Sequence, residues 1–102
     1  MPSLHRAMTM EEVRKLVESW WSTAMSNAIV EVVASDVYLS FPPESIAVFR
    51  TRDGRYHYIE QFGDYTQEID GEATLTMETR DTLAEVVREL CSEDDRKRLG
   101  LT

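Results

Sequence analysis

The chain is poor in cysteine, histidine, glycine and proline, and it has no long apolar run. One cysteine, Cys91, in 102 residues rules out an internal disulfide framework. Its place at the end of a helical pattern reads as a half-buried structural thiol in a reducing compartment. The histidines, His5 and His57, lie far from each other and from Cys91, so no closely spaced set of soft metal ligands exists. The four glycines fall at turn or helix-end positions, which excludes a Gly-rich phosphate loop. No apolar stretch approaches the ~20 residues of a membrane span, and the opening MPSLHRAMTMEEVRK lacks the core of a signal peptide. A cytoplasmic protein with no membrane contact is expected. A domain of this size buries roughly 60–68% of its unfolded surface, which leaves little room for a large cofactor, and none is expected.

Positive charge is scarce as well. Nineteen acidic residues face eleven basic ones, a net charge of −8. About four of those excess charges fall between residues 51 and 80. Such a surface repels phosphate backbones, which argues against nucleic-acid binding, and its natural complement is a basic protein.

The patterning that is present predicts a single α+β domain over residues 1–102, with residues 1–8 flexible. Thr9-Met10-Glu11-Glu12 is a capping box that starts a helix near residue 10. Val13, Leu16, Val17, Trp20, Trp21 and Ala24 then form one apolar stripe along it. Adjacent helical residues diverge by about 100°, so only one of the two tryptophans can sit at the centre of that stripe. The β-branched run Ile29 to Val33 fits either a continued helix or a first strand. The expectation here is helix to about residue 34, a break at Ser35-Asp36, and a first strand over Val37 to Phe41 ended by Pro42-Pro43.

Residues 45–51 (SIAVFRT) and 55–61 (RYHYIEQ) flank Asp53-Gly54, a hairpin turn signal. A two-residue loop sets Arg50 opposite His57, Phe49 opposite Tyr58 and Val48 opposite Ile59. Strands over 65–69 and 73–78 continue an antiparallel meander of four to five strands, with Ala73, Leu75 and Met77 on the face of Phe49 and Tyr58. That face is apolar. The other, carrying Arg50, His57 and Gln61 beside acidic loops, is expected to be half exposed, as a docking surface is. Thr82-x-x-Glu85 starts a carboxy-terminal helix with Leu83, Val86, Val87 and Leu90 on one side. A short final helix follows Ser92, with Glu93–Lys97 and Asp94–Arg98 pairs, and stops at Gly100.

Candidate chemistry is thin. His57 would need Glu60 or a tyrosine as its orienting partner for acid–base work, yet strand alternation points positions 57 and 60 to opposite faces. Glu60 and Glu68 lie on adjacent strands and alternate faces, so they do not converge as a hydrolytic pair. Asp64, Glu68, Asp70 and Glu72 lack the ligand order of a calcium loop, and no metal is expected. Cys91 lies near a helix C-terminus, where the dipole opposes a thiolate. A non-enzymatic protein is the expectation.

The segment DGRYHYIEQFGD, with the strands after it and the helix TLAEVVREL, resembles the small α+β immunity proteins of bacterial polymorphic-toxin systems, several of which carry a G-x-Y-x-Y/V strand before a terminal helix. The likeness covers residues 53–90. It implies an inhibitor that covers the basic cleft of a cognate toxin domain with carboxylates, and it makes Tyr56, Tyr58, Glu60, Asp64 and Glu68 the candidate partner-binding residues. Two other classes stay open. A small homo-oligomeric regulator or phage-type interaction protein would use a self-complementary patch around Trp21 and Val32, and a small enzyme would use His57.

Overall fold

The computed structural model describes residues 4–39, 44–63 and 74–101. Helix α1 (Met10–Trp20) begins as its capping box predicts: the Glu12 N–H donates to the Thr9 hydroxyl, and the Glu12 carboxylate accepts from the Thr9 N–H, both at 3.1 Å. Arg6 grips the same carboxylate through two 2.8 Å bonds, and these bonds, led by Arg6, pull Glu12 down to about 2. Val13 and Val17 are fully buried on its inner side. The helix stops at Trp20, and Ser22 caps a second short helix, α2 (Thr23–Ala28), by accepting from the Met25 N–H at 3.0 Å. Ala24, read as the end of the first stripe, is an exposed residue of α2.

The helix expected to run to residue 34 does not form. The chain passes from Ala28 into β2 (Ile29–Tyr38), with no break at Ser35-Asp36. Ile29, Val30, Val32 and Val33 are stiff at χ1 and suit a pleated surface better than a helix. Two register shifts against the next strand, at Ile29/Glu31 and Val32/Ala34, interrupt the side-chain alternation and so hide the strand's period of two from the sequence.

The sheet is five-stranded and antiparallel in the order β1 (His5–Arg6), β2, β3 (Glu44–Thr51), β4 (Tyr56–Phe62), β5 (Thr74–Arg80), so the meander is present. Its membership differs from the sequence reading. The edge strand β1 comes from the stretch expected to be flexible, pairing His5 with Tyr38 and Arg6 with Val37. The strand expected at 65–69 lies outside the described residues, and β5 pairs with β4 directly, Phe62 opposite Thr74, so nothing intervenes between them.

The hairpin forms one residue out of the expected register. Its loop is Arg52-Asp53-Gly54: the Gly54 N–H donates to the Thr51 carbonyl at 2.9 Å, the Thr51 N–H to the Arg55 carbonyl at 3.1 Å, and Gly54 takes a φ of 82°. This is the three-residue form, a tight turn closed by a left-handed glycine. The Thr51 hydroxyl and the Arg55 N–H both donate to one Asp53 oxygen, at 2.6 and 3.1 Å, and hold the loop in that form. Phe49 consequently faces His57, Val48 faces Tyr58 and Arg50 faces Tyr56. A slip of one residue sends every β4 side chain to the other face.

Both faces are covered as a result. His57 and Ile59 join Ala47, Phe49, Leu75 and Met77 beneath α1 and α2, while Tyr56 and Tyr58 join Ile46 and Val48 beneath α3 (Leu83–Glu89) and α4 (Glu93–Leu99). The half-exposed second face expected from the sequence is a second core. Ile46, Ala47, Val48 and Phe49 are each fully buried, and an unbroken apolar run of that kind marks a strand enclosed on both sides. Helices α3 and α4 start at Thr82 and Ser92 as predicted, and α4 ends on Gly100 at φ 69°.

Candidate functional site

The pleat puts three carboxylates on the α4 side of the sheet. Asp36 and Glu60 both pair with Ile46, on opposite sides of β3, and Glu44 lies two residues before Ile46 on β3 itself. Helix α4 adds Asp95 and Arg98, one turn apart and therefore on one side. Arg98 Nη2 and Nε bond Asp36 Oδ2 at 2.7 and 3.1 Å, and its Nη1 bonds Glu44 Oε1. His5 Nδ1 meets the same Asp36 oxygen at 2.8 Å, with its ring 4.7 Å from that of Tyr38. On the far side of Arg98, the Tyr58 hydroxyl lies 3.2 Å from Glu60 Oε2 and 3.3 Å from Asp95 Oδ2.

Arg98 thus pairs with Asp36 and Glu44, while Glu60 and Asp95 flank the Tyr58 hydroxyl. Burial would lower the Arg98 pKa, but its bonds to Glu44 and Asp36 hold it above the ordinary value. Glu60 gains less from Arg98. Burial, then the charges of Asp95 and Glu44, push its carboxyl above the usual range, and neither Arg98 nor the Tyr58 hydroxyl reverses that. The Tyr58 phenol is driven far up by burial and by the charges of Glu60 and Asp95. A half-buried site with surplus negative charge is one that a further cation would relieve. Beside it, His5, Asp36, Lys97 and Arg98 line a cavity of about 320 Å³.

Of the five residues singled out from the sequence, this site brings together Tyr58 and Glu60. Tyr58, at 3% exposed, is a core residue that lends its hydroxyl to the cluster, because the face it shares with Ile46 and Val48 is covered by α3 and α4. Tyr56 packs half-buried on the same face, and Glu60 is half-buried within the cluster. Asp64 and Glu68 lie outside the described residues. The sequence reading did not single out Asp36, Glu44, Asp95, Arg98 or His5. The i, i+4 spacing pairs Arg98 with Asp94 on its own helix, whereas in the fold it reaches partners 62 and 54 residues away. Local spacing carries no signal for such a pairing.

His57 is also corrected, from a surface position beside Arg50 to a ring that is 2% exposed. Arg50 pairs instead with Glu31 at 3.2 Å. His57 Nε2 lies 2.8 Å from the Thr51 hydroxyl, and Nδ1 lies 2.8 Å from the Thr79 hydroxyl. The ring stacks on Phe49 at 5.1 Å and meets Trp21 edge-on at 5.5 Å. Thr51 spends its one proton on Asp53, so it can only accept from His57. The neutral ring therefore carries its hydrogen on Nε2 and accepts from Thr79 at Nδ1. Burial lowers its pKa. The opposition of His57 and Glu60 across the sheet stands as expected. Cys91 is more enclosed than the sequence suggested, 4% exposed, and burial and Asp95 push its thiol up.

Among the described residues, no three His, Cys, Asp or Glu side chains gather as metal ligands would, and no helix is long and apolar enough to cross a membrane. No protein-family model, curated protein or solved structure matches the chain.

Proposed function

We propose that this chain is a non-catalytic inhibitor of the immunity type, which binds a basic partner protein and neutralises it by covering its cleft. The observation that carries this reading is the electrostatic state of the α4 face: Asp36 and Glu44 take up Arg98, Glu60 and Asp95 have only the Tyr58 hydroxyl between them, and burial with the charges of Asp95 and Glu44 holds Glu60 above its ordinary pKa. A lysine or arginine from a partner would stabilise the Glu60 carboxylate directly. The rest of the molecule supports the same complement. Among the described residues, eight of the eleven Lys and Arg side chains, Arg6, Lys15, Arg50, Arg55, Arg80, Arg88, Lys97 and Arg98, already sit in ion pairs with carboxylates. The net charge of −8 therefore has little internal cation left to meet it. Long-range attraction speeds encounter, and the half-buried cluster supplies the specific contact. The likeness of residues 53–90 to immunity proteins points to a toxin domain as that partner.

Affinity capture with wild type and a Glu60→Lys variant tests the proposal. The expected result is one basic protein retained by wild type at low salt, released at high salt, and lost from the variant. Recovery of this chain alone as a stable oligomer, or equal retention of the partner by both forms, contradicts it.

A further inference from the structure

The two helical layers rest on separate cores, and only one of them contains a histidine. Val13, Val17, Ile29, Ala47, Phe49 and Ile59 form the core under α1 and α2, whereas Ile46, Val48, Tyr58, Val86, Cys91 and Leu99 form the other. His57 sits at the edge of the first, between the Phe49 ring and Trp21, where the chain turns from α1 into α2. Next to it, Ser22, Met25, Thr51 and Asp53 line an open cavity of about 370 Å³ between α2 and the hairpin loop. The cavity stops at Thr51, and the ring behind it is 2% exposed, so protonation requires the slot to open.

We propose that His57 is an acid-operated release for the α1–α2 layer: when its ring takes up a second proton it leaves the slot against Trp21 and Phe49, and α1 and α2 loosen from the sheet while α3 and α4 stay seated.

The proton enters at Nδ1. Thr79 must then turn its own hydrogen away and accept, so both ring nitrogens keep partners and the cost lies in burying the charge itself. The charged groups that bear on the ring are Asp53, which favours the cation, and Arg55, which opposes it; Trp21, Phe49, Thr51 and Thr79, from the α1–α2 link, β3 and β5, bring no charge. Asp53 is exposed and screened by water, so burial dominates, and the folded pKa falls below the ordinary ~6.5. Stability from the neutral ring is accordingly full above about pH 6.5 and is lost as pH falls through the folded value. Because the two cores are separate, the loss is taken by the layer that holds the histidine.

The test is amide hydrogen exchange of each layer, read as protection factors, together with tryptophan emission from pH 7.5 to 5.0. In wild type, α1 and α2 should lose protection about fivefold or more while α3 and α4 change little, with emission shifting red. His5→Gln should keep this behaviour, and His57→Gln, whose amide can still meet both threonines, should abolish it. Equal loss of protection in both layers, or an unchanged response in His57→Gln, overturns the proposal. Should that variant not fold, the ring-proton titration of His57 in wild type decides: a midpoint well below 6.5 supports the release, and an ordinary midpoint overturns it.

Discussion

Asp36 is a carboxylate at 5% exposure, held by Arg98 and His5. Removing the guanidinium strands that charge in a medium that solvates it poorly. Arg98→Leu is therefore expected to cost about 3–5 kcal/mol, seen as a lower denaturation midpoint at pH 7, and an unchanged midpoint would mean that Asp36 is solvated after all. Glu60 runs the other way. Its folded pKa is raised above the unfolded value, so the ionised form opposes folding at neutral pH, and the penalty fades as pH falls through the folded pKa. Glu60→Gln should raise Tm at pH 7 and lose that advantage near pH 4; a lower Tm at pH 7 would show that the carboxylate has a cation it depends on. Neither role was legible in the sequence, since both rest on contacts between strands and a helix far apart in the chain. What spacing did reveal was Glu93–Lys97, an exposed pair at 3.8 Å with little bearing on the site.

Among the elements, the hairpin shows how a strong local signal leaves one integer undetermined. Asp-Gly suits a two-residue loop and also ends a three-residue loop, and the choice falls to the Thr51 hydroxyl, which binds Asp53 and His57 together. Thr51→Val removes both contacts and leaves the His57 Nε2 hydrogen without an acceptor, so a loss of about 1–3 kcal/mol in equilibrium unfolding is expected. Gly54→Ala should cost about 1–2 kcal/mol from its φ of 82° alone, because nothing lies within 4 Å of the added carbon. A neutral result for Gly54→Ala would argue for a different turn. Helix starts were the most legible feature, since Thr9, Thr82 and Ser92 act within three residues of themselves. The β2 segment was not, because its bulges break the alternation on which a strand is recognised.

For the whole molecule, class and meander were readable from composition and turn spacing, but enclosure of the sheet on both faces was not. The unbroken Ile46-Ala47-Val48-Phe49 run was the available clue, and a hairpin register one residue off disguised it by giving one face an apparently polar row. That enclosure matters for function. It hides His57, Tyr58 and Cys91, and it leaves carboxylates such as Glu60 and Asp95 as the groups that the α4 face would present to the proposed partner.

The central claim is that a basic protein is drawn to this surplus of negative charge. The measurement that tests it most directly is the association rate of the captured partner with this chain, followed as a function of ionic strength from about 50 to 500 mM salt. The account predicts a rate that falls about tenfold or more over that range and a weaker salt dependence for Glu60→Lys. A rate indifferent to salt, or the same for both forms, would contradict it.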